Sequence, residues 1–342
     1  MKRVLMNKNI SIALGIIVLV ASSFLVGCER NTEAEGPSLN DLYGDFTVLQ
    51  DFEANQETVD FSSQESMHFK ARFSTITSWR ITISSDNSDA IKIIEGRSNI
   101  LDEETASWDG TTTLFPTFGI GSCTAELWTE ADSSIQTTKV TVSGLRTPSG
   151  VVVADFENGI NPDWTVFAQS GANMTFTIGN TEVVPQGDNY FDMGGAVDWD
   201  YLIGLVDFPG TSVGPNGFEL PSNPDNIYFN VALYRPEGIT NGIVLFRFSE
   251  DENGDGTFTE ANEDQYAVEL TDLEEGWQIV SVKYSDLVAL ENGQPTTPKG
   301  NNQHNPDKLN MVSCLFLANP ATGYSQTLMD YMIFTTDGPL KL

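Results

Sequence analysis

The sequence predicts an all-β chain, two β-sandwiches in series behind an apolar leader. Three observations carry this. Apolar residues recur with period two in many short runs, such as Met67-His68-Phe69-Lys70-Ala71-Arg72-Phe73 and Trp79-Arg80-Ile81-Thr82-Ile83. No 3.6-residue period is sustained in the body of the chain, so amphipathic helices are not expected. Charged residues are scarce at 19% while Gly, Ser, Thr, Asn and aromatics are abundant, a balance that suits sheets.

Lys2, Arg3 and Lys8 precede an apolar run from Ile10 to Val26 that ends in Leu25-Val26-Gly27-Cys28. That is the charge, apolar core and small-residue end of a signal peptide. A cysteine directly after Leu-Val-Gly resembles the bacterial lipobox. The resemblance implies a lipoprotein signal peptide over 1–27, cleavage before Cys28 and a diacylglycerol on its thiol, giving a firm membrane anchor. The alternative is an ordinary transmembrane helix, for which the run is long enough. Residues 28–44 are polar and acidic, and read as a flexible tether. Glu29, Glu33 and Glu35 in this tether loosely resemble the signal that exports Bacteroidota lipoproteins to the outer face of the outer membrane.

The formal net charge is −31. Cleavage before Cys28 would remove three of the 17 basic residues and none of the 48 acidic ones, leaving about −34. Such a field excludes nucleic acid as a partner and disfavours polyanionic glycans. It favours solubility and tolerates salt, which screens self-repulsion. The two histidines, His68 and His304, are too few for a His-based zinc site, and no Cys-x-x-Cys occurs. Cys123 and Cys314 each fall in an apolar run; they read as buried thiols or, in an oxidising compartment, as a pair.

Residues 45–145 carry about seven short strands separated by turn signals such as Ser84-Ser85-Asp86-Asn87-Ser88-Asp89, which fits an immunoglobulin-like sandwich. The order Trp79-Arg80-Ile81, Trp108-Asp109-Gly110, Phe118-Gly119 and a terminal Thr138-Lys139-Val140-Thr141-Val142 resembles PKD-type modules. That resemblance implies a spacer, with Trp79 and Trp108 in its core. Arg146–Gly150, with Pro148 and Gly150, is a short linker. Over 150–342 the expected strands are Val151–Phe156, Tyr228–Tyr234, Ile243–Phe248, Gln265–Leu270, Trp277–Tyr284, Asn310–Leu317 and Met329–Phe334. The opening Asp155-Phe156-Glu157-Asn158-Gly159, the Gly276-Trp277-Gln278-Ile279-Val280 run and Asp330-Tyr331-Met332-Ile333-Phe334 resemble jelly-roll carbohydrate-binding modules with a galactose-binding-like fold. The full layout resembles the surface glycan-binding lipoproteins of Bacteroidota polysaccharide-utilisation systems. It implies non-catalytic polysaccharide capture at the outer membrane, beside a TonB-dependent transporter and its lipoprotein lid. The alternative reading is a structural or protein-binding lipoprotein. A β-sandwich lyase or hydrolase is a third, but no nucleophile elbow, HExxH or phosphate loop occurs, and chance carboxylate pairs decide nothing.

Sugars need flat aromatic faces and planar polar side chains. In Tyr228–Tyr234 the alternation sends Phe229, Val231 and Leu233 inward and Tyr228, Asn230 and Tyr234 outward. In the following two runs it leaves Arg247 and Gln265 outward. Taken as one sheet, these form a candidate glycan platform. Asp198-Trp199-Asp200-Tyr201 is the sharper candidate for stacking, with Tyr190 a third aromatic. Trp277 reads as core and Trp164 as a rim or plug residue.

Asp251, Asn253, Asp255 and Thr257 follow the first half of an EF-hand loop, with Gly256 at its turn and Glu260 and Glu263 nearby. Asn262 replaces the closing glutamate. The loop reads either as a calcium-binding hairpin or as a solvated acidic turn. The jelly-roll resemblance implies a second structural calcium between first and last strands, at Glu157 and Asp330 with Asp155. A neutral β-glucan such as laminarin is the favoured ligand.

Overall fold

The computed structural model describes residues 44–169, 174–182, 184–196, 202–291, 293–318 and 323–342. The expectations on the signal peptide, on Cys28 and the tether up to residue 43, and on Trp199 and Tyr201, lie outside the described residues. The fold is all-β, with strands throughout and one four-residue α-helix among the described residues. Residues Thr47–Leu342 form a single unit.

The first seven strands are β1 (Val48–Ala54), β2 (Thr58–Asp60), β3 (Met67–Ser85), β4 (Ile91–Leu101), β5 (Ser107–Trp108), β6 (Gly121–Thr129) and β7 (Ile135–Gly144). They hydrogen-bond in the order β1-β3-β6-β7-β2, with β4 and β5 also on β3. The two runs read separately at 67–73 and 79–83 are one 19-residue strand. Its inward parity never breaks: Met67, Phe69, Ala71, Phe73, Trp79, Ile81 and Ile83 are all buried. Trp79 and Trp108 are core residues. The Trp79 indole lies over Gly96, its cross-strand partner, where any Cβ would collide with the ring, and its Nε1–H donates to Ser98 Oγ at 3.0 Å. Trp108 packs edge-on to Phe61 and Phe118, each at 4.8 Å.

The remaining strands are β8 (Val151–Ala154), β9 (Thr165–Ala168), β10 (Thr175–Gly179), β11 (Tyr190–Gly195), β12 (Leu202–Pro209), β13 (Ile227–Arg235), β14 (Gly242–Glu250), β15 (Gln265–Leu270), β16 (Gly276–Lys283), β17 (Leu290–Glu291), β18 (Gln294–Pro295), β19 (Leu309–Ala318) and β20 (Ser325–Thr336). Two antiparallel sheets face each other: β10-β11-β20-β13-β16 with β8 on β20, and β15-β14-β19-β12-β9. The chain repeatedly crosses between them, the jelly-roll pattern. All seven strands expected from the sequence here are present. The segment from 165 to 209 carried no expected strand, yet it holds β9 to β12, of which β9 is exposed while β11 and β12 are largely buried.

The core lies between the two sheets. Phe229 packs against Phe246 and Phe248 at 4.9 Å each and Phe334 at 5.4 Å. Val231, Leu233, Val244, Met329 and Met332 join the same cluster. Cys123 and Cys314 are both free and buried, one in each half of the chain, so the paired alternative does not hold. Burial pushes the Cys123 thiol up to about 11 and that of Cys314 further.

The outer face of the six-stranded sheet is partly covered. Residues 338–342 return across it, and the Leu340 N–H donates to Asn230 Oδ1 at 2.9 Å. Beyond it, the Thr112 N–H donates to the Leu342 oxygen at 2.6 Å, and Arg146 Nη1 donates to the Lys341 carbonyl at 2.7 Å. This segment therefore ties the first seven strands to the second sandwich.

Asn230 is fully buried, and its amide donates to the Tyr228 and Ile333 carbonyls and to Thr335 Oγ1 while its oxygen accepts from Ser281 and Leu340. Asn230→Ala is expected to cost about 2–3 kcal/mol, since it strands buried polar groups; urea unfolding would show a lower midpoint at unchanged slope. A thiol reagent at pH 8 should label neither Cys123 nor Cys314 in the native chain from residue 29 onward, and both after denaturation. Native labelling at the rate of a free cysteine would contradict their burial.

Candidate functional site

The outer face of the five-stranded sheet is assembled by register. Val206, Phe208, Val244, Phe246, Phe248, Cys314 and Phe316 point into the core, so the alternate residues point out. One outward row runs Phe167, Leu205, Leu315, Leu245, Glu269 across all five strands. The adjacent row runs Thr165, Asp207, Ser313, Arg247, Ala267. Leu245, Leu315, Leu317 and Ala267 form a second, smaller apolar cluster with Leu202, Leu205, Ile243 and Leu290. Phe167 is 44% exposed at the β9 edge. Ser313 Oγ–H donates to Asp207 Oδ1 at 2.6 Å, and Gln265 Nε2 donates to Ser249 Oγ at 2.9 Å. Arg247, half-buried mid-sheet, has no ion-pair or side-chain hydrogen-bond partner among the described residues. The face thus couples an apolar strip to a row of donors and acceptors.

The single platform expected from the sequence does not form. Tyr228, Asn230 and Tyr234 lie on β13, in the six-stranded sheet, whereas Arg247 and Gln265 lie on β14 and β15, in the other. The two sets occupy opposite outsides of the sandwich, because the chain changes sheet between β13 and β14. Asn230 is buried under residues 338–342 and is not a surface group. Tyr190, also buried, belongs to a small cluster with Val184 and Leu328, and its hydroxyl lies 3.0 Å from that of Thr181. Trp277 is not in the core between the sheets: it lies partly buried on the outer face, packed against the Tyr190 cluster, 5.4 Å from Tyr234 and 6.5 Å from Tyr190. Burial, with Glu182, Glu275 and Glu237 nearby, raises the Tyr234 hydroxyl. Trp164 packs against Phe156 and Phe208 and donates to Ser212, a plug at the core margin.

The acidic loop joins β14 to β15. Its side chains turn back on its own backbone. Asp251 Oδ1 accepts from the N–H of Gly254 and Asp255, and Oδ2 from Gly256 at 2.7 Å. Asn253 Oδ1 accepts from Asp255, Asp255 Oδ1 from Thr257, and the Glu263 oxygens from Asn253 and Thr259. Glu260 is on the surface, paired with Lys299 at 3.2 Å. The carboxylates of Asp251, Asp255, Glu260 and Glu263 do not converge. Among the described residues, the acidic trio whose ligand atoms do is Glu250, Glu252 and Asp264, within 4.8 Å of one another.

Glu157 and Asp330 do share one corner. A β-bulge between Asp330 and Ile333, with Tyr331 at φ 39°, keeps Asp330 outward while Met332 and Phe334 return to the core. Asp330 Oδ2 accepts from the Gln186 N–H at 3.1 Å. Burial, with the charges of Glu157 and Asp155 adding, pushes its carboxyl up to about 8. Glu157 is held by the N–H groups of Asp188 and Asn189.

No protein-family profile and no curated protein matches the chain. Solved structures do resemble it. A carbohydrate-binding module from the β-sandwich superfamily aligns at 12% identity and a TM-score of 0.37, over 85% of this chain and 98% of its own. The surface glycan-binding protein SGBP-B from a xyloglucan utilisation locus of Bacteroides uniformis aligns at 14% and 0.36, over 85% and 73%. A family 11 carbohydrate-binding module from Clostridium thermocellum, in complex with a mixed-linked β-1,3-1,4 tetrasaccharide, aligns at 14% and 0.36, over 56% and 96%.

Sequence reasoning missed Asp207, Ser313, Glu250, Glu252 and Asp264. Glu250 and Glu252 flank Asp251 at the same two-residue spacing as the EF-like set, a signal that was legible. Asp251→Ala should unpair the N–H groups of Gly254, Asp255 and Gly256 and cost about 2 kcal/mol. The loss should be the same in chelator and in calcium, with faster amide exchange over 254–257.

Proposed function

We propose that this chain is a non-catalytic glycan-binding protein and that the outer face of the five-stranded sheet holds the glycan. The observation that carries this is Arg247. A guanidinium with five N–H donors lies half-buried and without a partner among the described residues, beside the Asp207–Ser313 pair and one row from the exposed Phe167 and the half-buried Leu205, with Leu315 and Leu245 in that row buried. A pyranose ring presents hydroxyls around its rim and C–H groups on its faces, and that pairing of rows suits both.

On this reading Trp199 and Tyr201 stack on sugar rings. The net charge of −31 favours a neutral polysaccharide, with a β-glucan of the laminarin type first. The leader and Cys28 make the protein an acylated outer-membrane lipoprotein at the cell surface, handing its glycan to a TonB-dependent transporter with a lipoprotein lid. The first seven strands serve as the spacer.

Native affinity electrophoresis of residues 29–342 through laminarin, xylan, mannan, cellulose-derivative and alginate gels tests the reading. Retardation by a neutral glycan is expected. Arg247→Ala should weaken it about ten- to a hundredfold, the worth of a charged hydrogen bond. Tyr228→Ala, on the opposite outside, should leave it unchanged. Absence of retardation in every gel would favour a structural lipoprotein.

A further inference from the structure

Two of the three converging carboxylates at the β14–β15 junction, Glu250 and Asp264, have no exposed surface. Each is oriented by backbone N–H groups. Asp264 accepts from Gly300 at 2.6 Å and Asn302 at 2.7 Å, and Glu252 accepts from Asn301 at 3.1 Å and from Asp264 itself at 3.2 Å. Glu250 Oε1 accepts from the Tyr284 hydroxyl and the Asn305 N–H, both at 2.9 Å. Residues 300–305 thus wrap the cluster, and the His304 ring stacks on Tyr266 at 4.0 Å beside it.

A cluster of acids alone is no site. The second observation is Glu250 Oε2: it is buried and has no hydrogen-bond partner. Every other oxygen of the three carboxyls has one. No lysine or arginine is paired with the trio among the described residues. Burial, with Asp264 and Glu252 adding, pushes the Glu250 carboxyl up to about 8.

We propose that Glu250, Glu252 and Asp264 bind a divalent cation of the calcium type, with Glu250 Oε2 as an inner ligand. Ligand atoms within 4.8 Å of one another fit around one ion with oxygens at roughly 2.4 Å. An all-carboxylate donor set selects a hard ion over zinc or copper. The second lone pair of each N–H-bound oxygen remains for the metal. The ion would clamp the end of β14, the start of β15 and the 300–305 loop.

Terbium, a calcium surrogate excited through neighbouring aromatic rings, reports the site because Tyr284 and Tyr266 touch two of its carboxylates. The full chain in neutral detergent, stripped with chelator, should show terbium emission that calcium displaces. Glu252→Gln and Asp264→Asn should bind at least about tenfold more weakly, having lost one of three ligand charges. Asp255→Asn, in the exposed turn, should bind as the wild type does. A folding control runs alongside. In chelator, Glu250→Gln should unfold at about the same urea as wild type, since the amide keeps the carboxyl's shape; calcium should raise the wild-type midpoint and leave the variant's unchanged. Loss of binding in Asp255→Asn with retention in Asp264→Asn overturns the assignment. So does calcium stabilisation of Glu250→Gln equal to wild type, or wild-type emission that calcium does not displace.

Discussion

The packing of Phe229 against Phe246, Phe248 and Phe334 is the constraint on which the second sandwich depends. These four rings come from three strands in two sheets, and each is fully buried. Burial of one such side chain contributes roughly 1.5–3 kcal/mol. Parity matters more than that sum. With side chains alternating strictly along a strand, seating Phe246 and Phe248 inward forces Leu245 and Arg247 outward, and seating Phe229 inward sends Tyr228 and Asn230 to the other outside. The two outer faces are consequences of what the core demanded.

Where the parity must change, the backbone changes it. Asp330, Met332 and Phe334 would share one face of a regular strand. The bulge at Tyr331 separates them, so the carboxyl faces out and the two apolar side chains stay in the core. The cost is a non-glycine residue in the left-handed region and a buried carboxyl held by the Gln186 and Tyr331 N–H groups.

The acidic balance has two structural outlets. Carboxylates at the surface lie in salt and solvent, where like-charge repulsion is screened. Those drawn inside, at Glu250, Asp264 and Asp330, are each met by backbone N–H donors from loops distant in sequence. Loops rich in Asn and Gly, such as 300–305, suit this work, because they present several N–H groups to one carboxylate without bulky side chains in the way.

By itself the sequence determined the fold class, the strands with strong alternation and their inward faces, because a period-two pattern is a local property of the chain. Phe229, Val231 and Leu233 point inward as the alternation requires, and Trp79 and Trp108 are core. It also left readable the acidic loop and the scarcity of basic groups. Only the tertiary structure decided which strands share a sheet. Tyr228 and Arg247 are both outward by parity, yet they stand on opposite sides of the molecule, since sheet membership depends on long-range pairing that alternation does not encode. The same holds for Asn230, outward by parity but buried beneath a segment more than a hundred residues away, and for Trp277, which packs on a small outer cluster rather than in the core between the sheets. Glu250, Glu252 and Asp264 converge because β14 and β15 pair and the 300–305 loop folds over them. No spacing in the chain records that closure, as loop closure is settled by the contacts of the folded state.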